Sequence, residues 1–148
     1  MSGFLGVGWS FPPRFEPDGR VAMSEDEQDI EESLRILFAT RRGERMLDPR
    51  YGLDMHELLF DPISTTLRSL LEERVKVAVL LYEPRIEPLA LRVASPEAES
   101  GVLRIELEYR VRATNSRYNL VLPFYDDRDS NESVRSAARA LSWTTSKP

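Results

Sequence analysis

Pairs of acids are the most frequent reactive feature of the chain. Glu44 with Asp48, or Glu83 with Glu87, have the residue types a glycosidase needs, one carboxylate on each side of a sugar. Nothing in their surroundings sets one apart as an acid and the other as a base, so no catalytic pair is assigned. The single histidine, His56, lies in Asp54-Met55-His56-Glu57 and reads as a surface or cap residue of a short Met55–Phe60 turn. With 0 cysteines there is no thiol nucleophile, disulfide or thiolate metal site, and one imidazole cannot make a histidine cluster. No phosphate-binding G-x-x-x-x-G-K-[ST] loop and no G-x-S-x-G elbow occurs. Gly6-Val7-Gly8 has no strand signal before it and is not a dinucleotide fingerprint. The expectation is a chain without catalytic residues, cofactor or metal.

Two segments stand apart from this background. Gly43 to Gly52 (GERMLDPRYG) is a connector dense in charge, with a glycine at each end. As an ordinary loop its surface ion pairs would contribute about 0–1 kcal/mol each. The second is Tyr82-Glu83-Pro84-Arg85-Ile86. Proline ends a helix because it lacks the amide and its ring collides with the preceding turn. That explains Pro84 but not the acid and base flanking it. A proline-fixed bend holding Glu83 beside Arg85 is a preorganised contact of both signs, suited to carboxylates or helix-terminal carbonyls.

The elements that must position these segments follow from periodicity. The 148 residues suffice for one domain, and 41% hydrophobic against 30% charged residues gives a core and a wetted surface. Net charge is −5, which disfavours broad nucleic-acid binding, and no membrane-length apolar run or secretory signal is visible, so synthesis in the cytosol is expected. Residues 1–23 hold four glycines and three prolines among Phe4, Trp9, Phe11 and Phe15. They predict an extended aromatic arm without regular structure. Its aromatics have two destinations: packing back over the domain, expected for most, or docking on a partner, with Trp9 and Phe11 as candidates.

Ser24-Glu25-Asp26-Glu27 reads as a capping box. Ile30, Leu34, Leu37 and Phe38 then form one helical stripe, ending by Gly43. A longer helix is expected from Asp61-Pro62 to Pro84. Ile63, Leu67, Leu70, Leu71, Val75, Ala78 and Tyr82 lie on one face; Val77, Leu80 and Leu81 widen it enough to predict burial on two sides. Leu89 to Val93, Leu103 to Val111 and Tyr118 to Leu122 alternate with period two, with a turn at Thr114-Asn115-Ser116 and a stop at Pro123. The predicted fold is α+β: two main helices on one face of an antiparallel sheet of about three strands, spanning 24–124. Residues 125–148 form a polar tail in which Val134, Ala137, Ala138 and Leu141 allow a short helix.

Read together, several runs resemble one family. They are Gly8-Trp9-Ser10-Phe11-Pro12, Glu32 to Leu37, Thr40 with Gly43-Glu44-Arg45, Pro49 with Tyr51-Gly52, Leu59-Phe60, Tyr82 to Ile86, Tyr109-Arg110-Val111 and Asn119 to Phe124. Over residues 6–124 and in the same order, they resemble the baseplate wedge proteins of contractile tails, the lysozyme-like or sheath-initiator family. That family includes a type VI secretion baseplate subunit and members in extracellular injection particles. Its Glu-Pro-Arg signature stands intact at 83–85. The resemblance implies a structural role in a multi-copy symmetric baseplate within a phage tail or injection particle, without nucleic acid or membrane. Glu83, Pro84 and Arg85 would meet larger wedge proteins. A strand edge of Arg117, Tyr118, Asn119, Leu120, Val121 and Leu122 would receive strands of the sheath protein, a β-augmentation that seeds the sheath. Tube- or hub-proximal proteins are further neighbours. Two alternatives remain open: a peptidoglycan-degrading lysozyme, as the family label suggests, and a cytosolic adaptor of the same fold.

Overall fold

In a computed structural model the described residues are 4–53, 55, 64–94 and 102–125. His56, the Asp61-Pro62 helix start and the tail helix after residue 125 lie outside them. The order of elements is β1 (Val7–Trp9), β2 (Met23–Glu25), α1 (Asp26–Ala39), α2 (Thr65–Tyr82), β3 (Ile86–Ala94), β4 (Val102–Val111) and β5 (Arg117–Tyr125). The fold is α+β, with a three-stranded antiparallel sheet β3-β4-β5 and a separate two-stranded sheet β1-β2.

The core forms where the two periodicities meet. Ile30, Leu34, Leu37 and Phe38 of α1 are each at most 1% exposed, as the stripe predicts. From the sheet come Ile86, Leu91, Val93, Ile105, Leu107, Tyr109, Val111 and Leu120, all buried. Burial of each large apolar side chain stabilises the fold by about 1.5–3 kcal/mol. Tyr118, packed against this core, stacks on Tyr109 with ring centroids 5.7 Å apart.

Helix α2 differs from its expectation. Leu71, Val75, Ala78 and Val79 are buried, but Leu70, Val77, Leu80 and Leu81 are 45–66% exposed. The helix packs on β3 with one face only, and its second apolar side faces solvent. The described helix is N-capped by Ser64, whose Oγ accepts from Leu67 N–H at 3.1 Å.

Three further expectations are corrected. The N-terminal arm is not free of regular structure, since β1 pairs antiparallel with β2, placing Gly8 opposite Ser24. Glycine lets the arm lie close to Arg85 and Asp29: Gly6 has φ +120° and a Cβ there would lie 2.8 Å from Arg85 Nη1, and one on Gly8 would meet the Asp29 carboxylate. The capping box does not form. Ser24 is in β2 with its Oγ buried and unpartnered among the described residues, and Glu25 is an N-cap without a side-chain bond. The start of α1 is tied to the arm instead: Asp26 N–H donates to Gly6 O at 3.1 Å, and Leu5 N–H to Asp26 Oδ1 at 3.1 Å. The helix ends at Ala39, where Thr40 Oγ1 donates back to Ile36 O at 2.6 Å. Lastly, Pro123 does not stop β5, which continues to Tyr125 with Pro123 opposite Arg104.

The last correction follows from the ladder. Val111 N–H donates to Ser116 O at 2.9 Å, so that pair is hydrogen-bonded across the hairpin. In an antiparallel pair, bonded and non-bonded positions alternate. Carried along the unbroken register from Arg110↔Arg117 to Val102↔Tyr125, the alternation directs the backbone of Arg117, Asn119, Val121 and Pro123 away from β4. Proline lacks only a donor that β4 would not have used, as edge strands permit.

The candidate corner and strand edge

The corner is built where α2 ends and β3 begins. Glu83 is the C-cap of α2, its N–H donating to Val79 O at 2.9 Å. Pro84 forbids another helical turn, and Ile86 N–H returns to Glu83 O at 3.3 Å before the chain enters β3. Within two residues, therefore, the Glu83 and Arg85 side chains meet. Arg85 Nε donates to Glu83 Oε1 at 2.6 Å and Nη2 to Oε2 at 2.7 Å, a bidentate fork.

The remaining Arg85 nitrogen reaches much farther along the chain. Nη1 donates to Asp29 Oδ2 of α1 at 2.6 Å and to Leu5 O of the arm at 2.9 Å. Glu83 is 2% exposed, so its carboxylate is enclosed and matched by the guanidinium. The Glu83 hydrogen bonds, opposed by burial and reinforced by Asp29, hold the Arg85 guanidinium above the ordinary arginine range. The backbone joins in: Arg112 N–H donates to Arg85 O at 3.0 Å, fixing the corner to the far end of β4. Pro84 is exposed and Arg85 half-buried. The outward surface of the tripeptide is thus Pro84 and part of the Arg85 side chain, while the glutamate faces inward.

Sequence reasoning did not find the other members of this cluster. Asp26, Asp29 and Glu32 recur every three residues along α1 and hold the arm: Asp26 takes Leu5 N–H, Asp29 takes Arg85, and Glu32 Oε2 takes Phe11 N–H at 3.0 Å. The spacing of acids and the Gly6-x-Gly8 pattern are the signals that carried it. The arm's backbone is tied down, yet its aromatics are not buried. Phe4, Trp9 and Phe15 are 67–74% exposed and Phe11 37%, so the expected packing of most of them over the domain does not occur. Trp9 lies opposite Met23 in the β1-β2 register, and Met23 too is exposed.

The proposed acid pair at 83 and 87 is separated by partners. Glu83 is held by Arg85, and Glu87 is paired with Arg110, whose hydrogen bond and charge lower the Glu87 pKa. Glu44 accepts from the Arg41 amide at 2.9 Å.

The strand edge has the geometry that a further strand needs. β5 is outermost in the sheet, and its outer side has no partner among the described residues. Outward N–H groups of Arg117, Asn119 and Val121 follow in succession until Pro123 interrupts them. The opposite edge is less regular: β3 carries Pro88 and a register shift between Pro88 and Ala90. Of the residues expected at the β5 edge, Leu120 is in the core at 3% exposure and Val121 is 44% exposed.

Known proteins match this arrangement. The family described as baseplate wedge protein gp25 matches residues 24–116. The gp25 baseplate wedge protein of Enterobacteria phage T4 is 33% identical over 91 residues, covering 62% of this chain and 68% of the phage protein. Among solved structures, a proposed tail lysozyme from Geobacter sulfurreducens is 48% identical with a TM-score of 0.64, covering 72% of this chain and 96% of its own. A chain of the anti-feeding prophage baseplate is 25% identical with a TM-score of 0.60, covering 88% and 93% respectively. With the corner, both helices, β3 and β4 inside the matched region and β5 just beyond it, the chain belongs to the gp25 family of baseplate wedge proteins.

Proposed function

We propose that this baseplate wedge protein links the wedge core to the first sheath ring of a contractile particle. The observation that carries the reading is the β5 edge: three successive outward donors on a regular strand whose outer side has no partner among the described residues. Backbone groups in that state favour a partner strand, and the bonds so formed make little demand on side chains. Strand Arg117 to Leu122 would take the sheath protein. The corner of Glu83, Pro84 and Arg85 would face the larger wedge proteins, with Pro84 and the outer part of Arg85 in contact and Glu83 setting the arginine's place. Trp9 and Phe11 form a third candidate contact, presented by an arm whose backbone α1 holds. Repetition of these contacts around a symmetric baseplate would make the chain a passive template.

Val121→Pro tests this. The substitution removes an outward donor and leaves the β4 ladder its bonds. The folded variant should enter baseplates but fail to nucleate sheath; full-length sheaths on such baseplates would refute augmentation at β5.

A lytic reading is favoured by the Geobacter sulfurreducens relative, a proposed tail lysozyme. Against it, Glu83 and Glu87 are each engaged by an arginine, which leaves neither free to donate a proton to a sugar. Purified protein should not clear a peptidoglycan suspension. Clearing abolished by a single Glu→Gln change would establish the enzyme.

A further inference from the structure

The connector from Thr40 to Leu53 is a braced loop. Gly43 N–H donates to Pro49 O at 2.8 Å, Leu53 N–H to Thr40 O at 2.9 Å, and Tyr51 N–H to Asp48 O at 3.1 Å. The Arg45 guanidinium lies 3.8 Å from the centroid of the Tyr51 ring, a cation–π contact. Gly52 has φ +108° and sits where a Cβ would strike the Thr40 carbonyl, so only glycine closes the base. At the tip of this fixed frame Met46 is 96% and Leu47 102% exposed. Two adjacent apolar side chains wholly in water add nothing to the fold. The charges around them are mostly positive: residues 41–50 hold Arg41, Arg42, Arg45 and Arg50 against Glu44 and Asp48, 4 − 2 = +2 in a chain of net charge −5.

The loop's base adjoins the corner. Tyr51 packs edge-on against Tyr82 at 5.0 Å between centroids, and Tyr82 immediately precedes Glu83.

We propose that Met46 and Leu47 form a knob that enters an apolar pocket rimmed by Asp or Glu side chains on the wedge protein that meets the corner. The inference rests on the reading of the corner given above. Buried apolar anchors inside a charged rim are how small contacts gain strength and orientation. The basic rim calls for an acidic one opposite. A membrane fits less well, because two side chains bury less apolar surface than a single myristoyl chain, which itself binds only marginally.

The test uses the full chain assembled with the other proteins of its particle. A Met46→Ser, Leu47→Ser double variant should melt as wild type, since both side chains are solvent-exposed, and its incorporation into purified baseplates should fall at least tenfold. A photocrosslinking residue at position 47 should label one wedge protein, at a peptide containing carboxylates. Wild-type incorporation of the double variant overturns the proposal. So does a crosslink to a second copy of this chain, or sedimentation of the wild-type protein with anionic phospholipid vesicles. Absence of the wild-type chain from purified baseplates would overturn the wedge reading, and this inference with it.

Discussion

Replacing Arg85 by alanine should destabilise the isolated protein, whatever the corner does in an assembly. The guanidinium makes four hydrogen bonds of 2.6–2.9 Å, two to Glu83, one to Asp29 and one to Leu5 O. The side chains of its acidic partners are 3% and 17% exposed. Removing one partner of a buried ion pair typically costs about 3–5 kcal/mol, because the other charge is left without compensation. Arg85 itself is 28% exposed, so water recovers part of that. The expected loss is about 2–4 kcal/mol. Urea unfolding measures it as a lower midpoint at nearly constant slope. Amide exchange supplies a second readout: the Leu5 and Phe11 amides, held by Asp26 and Glu32, should exchange faster as the arm loosens. Arg85→Lys should recover only part of the loss, since an ammonium cannot fork to Glu83 and also reach Asp29 and Leu5. An Arg85→Ala midpoint equal to wild type, with unchanged Leu5 exchange, would refute the account of the corner as an internal clasp.

Three other outcomes follow from the geometry. Gly52→Ala should cost about 2–4 kcal/mol, as its positive φ and its approach to the Thr40 carbonyl both oppose a Cβ; a melting curve matching wild type would contradict this. Leu120→Pro should destabilise the monomer far more than Val121→Pro, because only position 120 turns its backbone toward β4; equal effects in urea unfolding would show that the ladder phase is wrong. Burial, reinforced by the Glu31 charge, raises the Tyr109 pKa above that of a free phenol. Its contribution is complete below the unfolded pKa of about 10 and is lost as pH rises through the higher folded value, so alkaline stability should fall. Tyr109→Phe should flatten that fall, as followed by unfolding between pH 9 and 12, a window taken on the order of the phenol range.

The features legible in the sequence were those with a period. Ile30, Leu34, Leu37 and Phe38 had one face to bury and buried it, and Ile105 to Val111 alternated because the sheet has one dry side. Features without a period stayed hidden. β1 and β2 have three residues each, too few to alternate, and Gly8 weakens any strand signal. Ser24 carried a helix-start signature, but its backbone entered β2 opposite Gly8, so the side chain never reached the helix amides. The apolar residues on the second side of α2 predicted a cover that the described residues do not provide. At the corner, residue types and the proline bend indicated an acid beside a base. They did not indicate Asp29, 56 residues away, or Leu5 O, 80 residues away, because spacing encodes only neighbours.

The Arg85 clasp shortens the mechanical path through the molecule. Its two ends are 80 residues apart in sequence, yet one guanidinium joins the arm to the helix–strand junction. A pull on the arm at Leu5 has a direct hydrogen-bonded route to the turn of α2 into β3, bypassing the intervening chain. Tension applied at one end of this small body reaches the root of its sheet as displacement and not as slack.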